Sequence, residues 1–135
     1  MTSSPSDLRE AAEMVRECAY APYSNFKVGA AMRSASGEIF VGANVENVSY
    51  PVGTCAEESA LVAMIAGGET KIVEAYVVAD SPTPVAPCGA CRQRLKEFGA
   101  DDVVIWLGNT DGDVISTTIG ELLPGAFDTD HMARS

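Results

Sequence analysis

Three of the four cysteines constrain this chain strongly, because each lies at the predicted start of a helix. Cys55 opens a helical stretch over residues 55–66, and Cys88 and Cys91 open another over residues 88–98. Glycine follows each stretch and marks its end. The three thiols can act together only if the fold brings the two helix N-termini to one point.

The remaining segments predict an α/β fold. Apolar residues at three-and-four spacing predict an amphipathic helix over residues 7–20. Short apolar runs bounded by glycine or proline predict five strands, the first two forming a hairpin, over residues 26–32, 39–44, 72–79, 103–107 and 114–117. One more helical turn is predicted over residues 119–123. Because strand-helix-strand crossovers occur in this order, we predict one mixed sheet with helices on its faces.

Length and composition limit the possible functions. The 135 residues and 47% hydrophobic content predict a single domain over residues 1–135, with residues 1–6 and 128–135 as flexible ends. No secretory signal is seen, and no apolar run reaches the roughly 18 residues of a membrane helix. We therefore expect a soluble, cytoplasmic protein with no membrane partner.

The formal charge of −10 would repel phosphate backbones, so it favours a small ligand and argues against a nucleic-acid partner. One small basic cluster does occur, formed by Arg92, Arg94 and Lys96. For this cluster we favour a solvated helix face over a nucleic-acid footprint, which usually covers a whole face of a protein.

The thiols have the spacing and chemistry of a zinc site. The Cys-x2-Cys pair of Cys88 and Cys91 fits two ligands of a tetrahedron, and Cys55 fits the third. A helix N-terminus lowers the pKa of a thiol and stabilises the thiolate that binds metal. The alternative is a redox pair with buried thiols, but redox chemistry leaves the position of Glu57, beside Cys55, unexplained.

Only three protein ligands are predicted. The single histidine, His131, lies in the polar tail, and Cys18 lies on the apolar face of the predicted first helix, where we expect it to be buried. Three ligands and one open position are typical of catalytic zinc, which holds a water molecule with a pKa of about 7. The pattern therefore favours a catalytic metal over a structural one.

Glu57 lies close enough to the predicted metal to exchange protons with a bound water molecule. An alternative role is a capping box, in which the Glu57 side chain bonds the backbone of Thr54. The thiols nearby make us favour the catalytic role.

These residues resemble a known signature. The segments Cys55-Ala56-Glu57 and Pro87-Cys88-Gly89-Ala90-Cys91-Arg92-Gln93 resemble the zinc signature of the cytidine deaminase superfamily. Further segments resemble blocks of the small free-nucleoside cytidine deaminases, over residues 23–31, 44–50 and 121–127. The resemblance implies a three-layer α/β/α sandwich with a five-stranded mixed sheet, one zinc ion per subunit, and a homotetramer with shared active sites.

The resemblance also implies an activity, the hydrolytic deamination of free cytidine and deoxycytidine to uridine and deoxyuridine plus ammonia, as in pyrimidine salvage. Zinc-bound hydroxide would attack the base while Glu57 shuttles protons. The implied substrate contacts are Phe26 against the pyrimidine ring, the backbone of Ala56 to the base carbonyl oxygen, Asn44 and Glu46 to the ribose hydroxyls, and Tyr50 and Phe127 closing the pocket across subunit boundaries. Alternatives are core positions for Phe26 and Phe127, and water-facing positions for Asn44 and Glu46.

One position departs from the family pattern. Similar enzymes with three thiolates often carry arginine directly after the catalytic glutamate, but this chain has Glu58 there. Zinc and three thiolates already carry one net negative charge, and another carboxylate would make the bound water less acidic. We therefore predict that Glu58 points away and that Arg92 and the helix dipoles offset the charge.

Other functions remain open at this point. The enzyme could deaminate an antibiotic nucleoside or a nucleotide, although Glu46 beside the ligand would repel a phosphate. An RNA- or DNA-editing deaminase fits the acidic charge poorly. A non-catalytic zinc module that assembles through exposed apolar surface would have four ligands and would release no ammonia.

Overall fold

The computed structural model describes residues 4–133, in which five strands form one sheet with four α-helices packed on it. The helices are α1 Ser6–Arg16, α2 Ala56–Ala66, α3 Gly89–Phe98 and α4 Ile119–Leu122. The strands are β1 Val28–Ser34, β2 Ile39–Ala43, β3 Ile72–Ala79, β4 Val104–Asn109 and β5 Val114–Thr118. Short 3₁₀ turns occur at Tyr50–Val52 and Thr129–Met132.

The sheet has the strand order β2-β1-β3-β4-β5. Strands β3 and β4 are parallel, because α3 connects them as a crossover, and the other neighbouring pairs are antiparallel. The predicted five-stranded mixed sheet is confirmed.

Alternation along the strands creates two cores. On one face α1 covers the sheet, and its Leu8 and Ala12 pack in one cluster with Tyr76 and Trp106. On the other face α2, α3 and α4 cover the sheet, with a cluster that contains Ala30, Met32, Ala60, Leu61, Met64, Val77, Leu95, Ile105 and Ile119. The two covered faces make the three-layer α/β/α sandwich that the family resemblance implies.

A close approach between β2 and α2 fixes the start of the helix against the sheet. A Cβ atom added at Gly42 would clash with the backbone of α2. It would lie 2.6 Å from the oxygen of Ala56 and closer still to the nitrogen of Ala60. Glycine therefore lets the first turns of α2 lie directly on the strand. This contact sets the height at which the residues of the α2 N-terminus stand above the sheet.

The first helix is shorter than predicted. It ends at Arg16 rather than near residue 20, because Tyr20 leaves the helical path to form a bridge with Val45. The amide of Tyr20 donates to the oxygen of Asn44 at 2.9 Å. Cys18 thus lies beyond the helix and is exposed, so the prediction of a buried Cys18 on a helix face is wrong.

The chain ends are only partly described. Residues 1–3 and 134–135 lie outside the described residues, so the predicted flexible ends over residues 1–6 and 128–135 stay a prediction, as does the single domain over residues 1–135. Within those ends, Ser6 already begins α1 and Thr129–Met132 forms a 3₁₀ turn. No helix in the described part of the chain is long and apolar enough to cross a membrane.

Candidate metal centre

Two helix N-termini converge on a group of three thiols. Cys55 is the N-cap of α2, Cys88 is the N-cap of α3, and Cys91 lies in the first turn of α3. Their sulfur atoms lie within 4.8 Å of one another, close enough to share one metal ion. Soft thiolate ligands in a roughly tetrahedral arrangement favour zinc. The donor set thus fits the predicted ion.

The two other candidate ligands lie elsewhere. Among residues 4–133, no further cysteine, histidine or carboxylate joins the group of three thiols. His131 stacks on Phe127 with ring centroids 5.7 Å apart, and its Nδ1 accepts from the amide of Asp128. Cys18 is exposed beyond α1. The arrangement therefore leaves a coordination position for solvent or substrate.

The electrostatics of the three thiols differ. Burial raises the pKa of Cys55 and of Cys91, and the nearby Glu57 carboxylate raises both further. The pKa of Cys88 is lowered, chiefly by a hydrogen bond from the backbone of Cys91. The backbone N–H groups of a helix start therefore outweigh burial only at Cys88. The positive charge of a metal ion would favour the thiolate form of the other two.

Glu57 lies in the first turn of α2 and is only 6% exposed. The amide of Thr54 donates to the oxygen of Val45 at 2.8 Å, and α2 has no side-chain cap, so the capping-box alternative is wrong. Burial raises the pKa of the Glu57 carboxyl, while its own amide and Arg94 oppose the rise. A raised pKa makes a carboxylate a stronger base, which suits a group that takes a proton from water and passes it on.

A cavity of about 600 Å³ opens above the thiols, a size typical of small-molecule sites. It is lined by most of the predicted site residues, namely Phe26, Asn44, Glu46, Tyr50, Cys55, Ala56, Glu57 and Cys88. Cys91 is fully buried. Phe127 is not among the lining residues of this single chain and is 61% exposed.

Sequence reasoning missed part of the cavity wall. Val77 and Ala79, near the C-terminal end of β3, line it together with Val85 from the following loop. The signal for the two strand residues was present, since ligands in open α/β sheets bind beyond the carboxyl ends of parallel strands. Val85 carried no comparable signal.

Asn44 has both amide atoms engaged by the loop that carries Phe26. Its Oδ1 accepts from the amide of Val28 at 2.9 Å, and its Nδ2 donates to the oxygen of Phe26 at 2.8 Å. Asn44 therefore holds the Phe26 loop in place at the cavity edge.

Glu46 anchors the preceding turn. Its carboxylate accepts from the amides of Tyr23 and Ser24, at 3.0 and 3.1 Å, and from the Ser24 hydroxyl. The hydrogen bond from the Ser24 hydroxyl is the main cause of the lowered pKa of Glu46. Glu46 therefore stays ionised at the cavity edge, as a negative charge that faces any ligand.

The basic cluster of α3 is engaged by neighbouring groups rather than solvated. Arg92 donates to the backbone oxygens of Pro87 and Leu122, at 2.8 and 2.9 Å, so it joins the loop before α3 to α4. The prediction that Arg92 offsets the charge of the thiolates is therefore wrong. Lys96 pairs with Asp101 at 3.0 Å.

Arg94 is the basic residue that reaches the sulfurs. Its Nη1 lies 3.6 Å from Sγ of Cys91, and its Nη2 lies 3.5 Å from Oε2 of Glu58. Partial burial lowers the pKa of Arg94, but Cys91 and Glu58 outweigh it, and the pKa is raised overall. Glu58 is thus paired with a guanidinium and, among residues 4–133, is not part of the group of three thiols; that it points away from them stays a prediction.

Comparisons with known proteins agree with this geometry. A sequence model of the family described as "Cytidine and deoxycytidylate deaminase zinc-binding region" matches residues 3–107. A cytidine deaminase from Halalkalibacterium halodurans is 48% identical over 117 residues, which cover 87% of this chain and 89% of that protein. One from Sporosarcina psychrophila is 43% identical over 118 residues, 87% of each chain.

The same similarity holds in three dimensions. The 1.6 Å crystal structure of cytidine deaminase from Burkholderia pseudomallei superposes with a TM-score of 0.88 at 47% sequence identity. The match covers 93% of this chain and 100% of that one.

Proposed function

Because this chain belongs to the zinc-binding cytidine and deoxycytidylate deaminase family, we propose that it hydrolyses free cytidine and deoxycytidine to uridine and deoxyuridine, with release of ammonia. The observation that carries the proposal is the floor of the cavity. There the thiols of Cys55, Cys88 and Cys91 lie beside the buried carboxyl of Glu57. A hydrolase of this kind needs an activated water molecule and a proton carrier at the same point.

The residues around the cavity divide the chemistry between them. When bound, zinc lowers the pKa of a water molecule and so supplies a nucleophile at neutral pH. Glu57 accepts the two protons of that water in turn and delivers one to N3 of the base and one to the departing amino group. The water oxygen ends on C4 as a carbonyl, and the amino group leaves as ammonia, which balances the reaction.

Other residues position the substrate. The amide of Ala56 is one of the unpaired N–H groups at the start of α2, so it can donate to the carbonyl oxygen of the base. Phe26, 39% exposed at the cavity edge, packs against the pyrimidine ring. Asn44 and Glu46 bind the sugar hydroxyls with the atoms that their loop contacts leave free. Asn44 can donate its second N–H, and the Glu46 carboxylate can accept with its remaining lone pairs.

The sugar is neutral in this proposal. Glu46 is ionised at the cavity edge, and the chain carries a formal charge of −10, so a phosphate would be repelled locally and over the whole surface. We therefore expect free nucleosides to be preferred over nucleotides. Both ribose and deoxyribose fit these groups.

A turnover screen tests the substrate class. Loss of ultraviolet absorbance is followed for cytidine, deoxycytidine, cytidine monophosphate and blasticidin at equal concentrations. We expect kcat/KM for the two nucleosides to exceed that for the monophosphate by at least about 100-fold, because a like-charge juxtaposition with Glu46 costs several kcal/mol. A faster reaction with the monophosphate or with blasticidin would contradict the assignment.

The same protein preparation also tests two other functional classes, a nucleic-acid-editing deaminase and a non-catalytic zinc module. Binding to single-stranded RNA or DNA that weakens steeply with salt would favour an editing enzyme. A zinc-containing protein that releases no ammonia from any of these substrates would favour a non-catalytic module. The acidic surface and the open coordination position argue against both.

The proposal includes a homotetramer with shared active sites. Tyr50 and Phe127 are 74% and 61% exposed in the single chain, and Val48 and Val52 beside Tyr50 are exposed as well. Exposed apolar side chains, one of them the cavity-lining Tyr50, favour cover by another subunit. Light scattering should therefore give a mass of about 56 kDa, four times 14.1 kDa. A mass near 14 kDa would contradict a tetramer.

A cytoplasmic location belongs to the same proposal. All four cysteines lie within the described residues and are free. Zinc binding needs these thiols to stay reduced, as in the cytosol.

A further inference from the structure

The proposed metal centre has an excess of negative charge. A zinc ion with three thiolate ligands carries one net negative charge, and the carboxyl of Glu57 lies beside them. Negative charge at the ligands weakens the ability of the metal to polarise a bound group. A cation held at the sulfurs would counteract this.

Helix geometry places two charged groups beside the ligands. Arg94 follows Cys91 by three residues on α3, and Glu58 follows Cys55 by three residues on α2. Residues three apart lie on the same face of a helix. The ion pair between Arg94 and Glu58, 3.5 Å long, therefore joins the two helices next to the sulfurs.

Arg94 is the basic residue of α3 with a contact to a ligand sulfur. Its Nη1 donates to Sγ of Cys91 at 3.6 Å, within reach of a hydrogen bond to sulfur. Arg92 and Lys96 are engaged with backbone oxygens and with Asp101. The Arg94 side chain is 39% exposed, so solvent reduces but does not remove its effect.

We propose that Arg94 is a positioning residue of the metal centre, which donates to the Cys91 sulfur and offsets the negative charge of the thiolates, and that Glu58 holds its guanidinium there. This role of Arg94 rests on the proposed function, because it requires the three thiols to be zinc ligands. It assigns to Arg94 a role that needs neither contact with the substrate nor exchange of protons with it.

The first test is the rate at which zinc leaves the protein. Zinc-loaded enzyme is mixed with a chromophoric chelator, and release is followed for the wild type and for Arg94→Gln, Arg94→Lys and Glu58→Gln. We expect Arg94→Gln to release zinc about tenfold faster, since loss of an outer hydrogen bond typically costs about 10- to 100-fold in metal affinity or activity. Arg94→Lys keeps the positive charge but cannot make both contacts of the guanidinium, so its zinc release should lie between those of the wild type and Arg94→Gln, and so should that of Glu58→Gln.

The matched control is Arg9→Gln. Arg9 also pairs with a glutamate on a helix surface, Glu13, at 3.5 Å, but it lies on α1. Arg9→Gln removes one positive charge, as Arg94→Gln does, but at a site that is not beside the thiols. Zinc release from this variant should equal that of the wild type.

The second readout is the spectrum of the cobalt-substituted protein. A hydrogen bond to a thiolate stabilises the electrons that move to the metal, so its loss should shift the sulfur-to-cobalt charge-transfer band to longer wavelength in Arg94→Gln. A purely structural role for Arg94 would leave the band in place. Should Arg94→Gln not fold, Glu58→Gln takes its place, because it removes the carboxylate that holds the Arg94 guanidinium and should release zinc faster than the wild type.

The outcomes separate the inference from the proposed function. Zinc release within twofold of Arg9→Gln, with an unshifted cobalt band, would overturn the role of Arg94 while wild-type zinc binding and cytidine turnover remain. A wild-type protein that binds no zinc would instead remove the proposed function.

Discussion

Replacing Glu57 with glutamine should leave zinc bound and lower kcat for cytidine roughly 1,000-fold, within the range attributed to general acid-base groups. Glutamine has nearly the same shape, so it can fill the space beside the thiols, but it can neither take a proton from water nor give one to the amine. Zinc content by atomic spectroscopy and turnover by ultraviolet absorbance check both halves of the expectation.

The control for this variant is Glu10→Gln. Glu10 is an exposed residue of α1, so the same substitution there should leave kcat unchanged. A Glu57→Gln enzyme that holds zinc and retains kcat within tenfold of the wild type would contradict the role of Glu57 as proton carrier.

Replacing Cys91 with serine should abolish zinc binding and cytidine turnover together. The sulfur of Cys91 is fully buried and is one of only three protein ligands in the described group, and a serine hydroxyl is a poor substitute for a thiolate. A ligand that binds only the folded state at 1,000 times its Kd stabilises by about 4 kcal/mol. For a chain of 135 residues that corresponds to a fall in Tm of about 14 °C, measured by calorimetry.

The matched control is Cys18→Ser, the same substitution at an exposed cysteine beyond α1. It should keep zinc, turnover and Tm close to wild-type values. A Cys91→Ser protein that still binds one zinc ion per subunit and deaminates cytidine would remove Cys91 from the ligand set.

Local sequence patterns predicted most of the fold. Cys55 and Cys88 could be placed at helix starts because Thr54 and Pro87 directly precede them and glycine ends both helices. The end of α1 could not be placed, because it depends on the bridge between Tyr20 and Val45, which are 25 residues apart. A long-range contact of this kind has no local signal.

The charge around the thiols shows where sequence reasoning went wrong. Arg92 is adjacent to Cys91 in sequence, yet neighbours on a helix point in different directions, and its guanidinium reaches backbone oxygens instead. Arg94, three residues beyond Cys91, shares its face. Helical spacing could have identified Arg94.

The cavity edge shows a different limit. Asn44 and Glu46 were predicted from the family pattern as ribose ligands, a role that remains a proposal. Their contacts with the turn at Tyr23, Ser24 and Phe26 span about 20 residues of chain and emerge only from the folded structure. These contacts explain how the residues are held at the cavity.

The most direct test of a catalytic zinc ion with an open position is a zinc titration of metal-free protein. Activity on cytidine should rise in proportion to added zinc and level off at one ion per subunit, with one ammonia released for each cytidine consumed. Cytidine turnover by folded, metal-free protein, or one bound zinc ion per subunit with no ammonia released, would contradict the account.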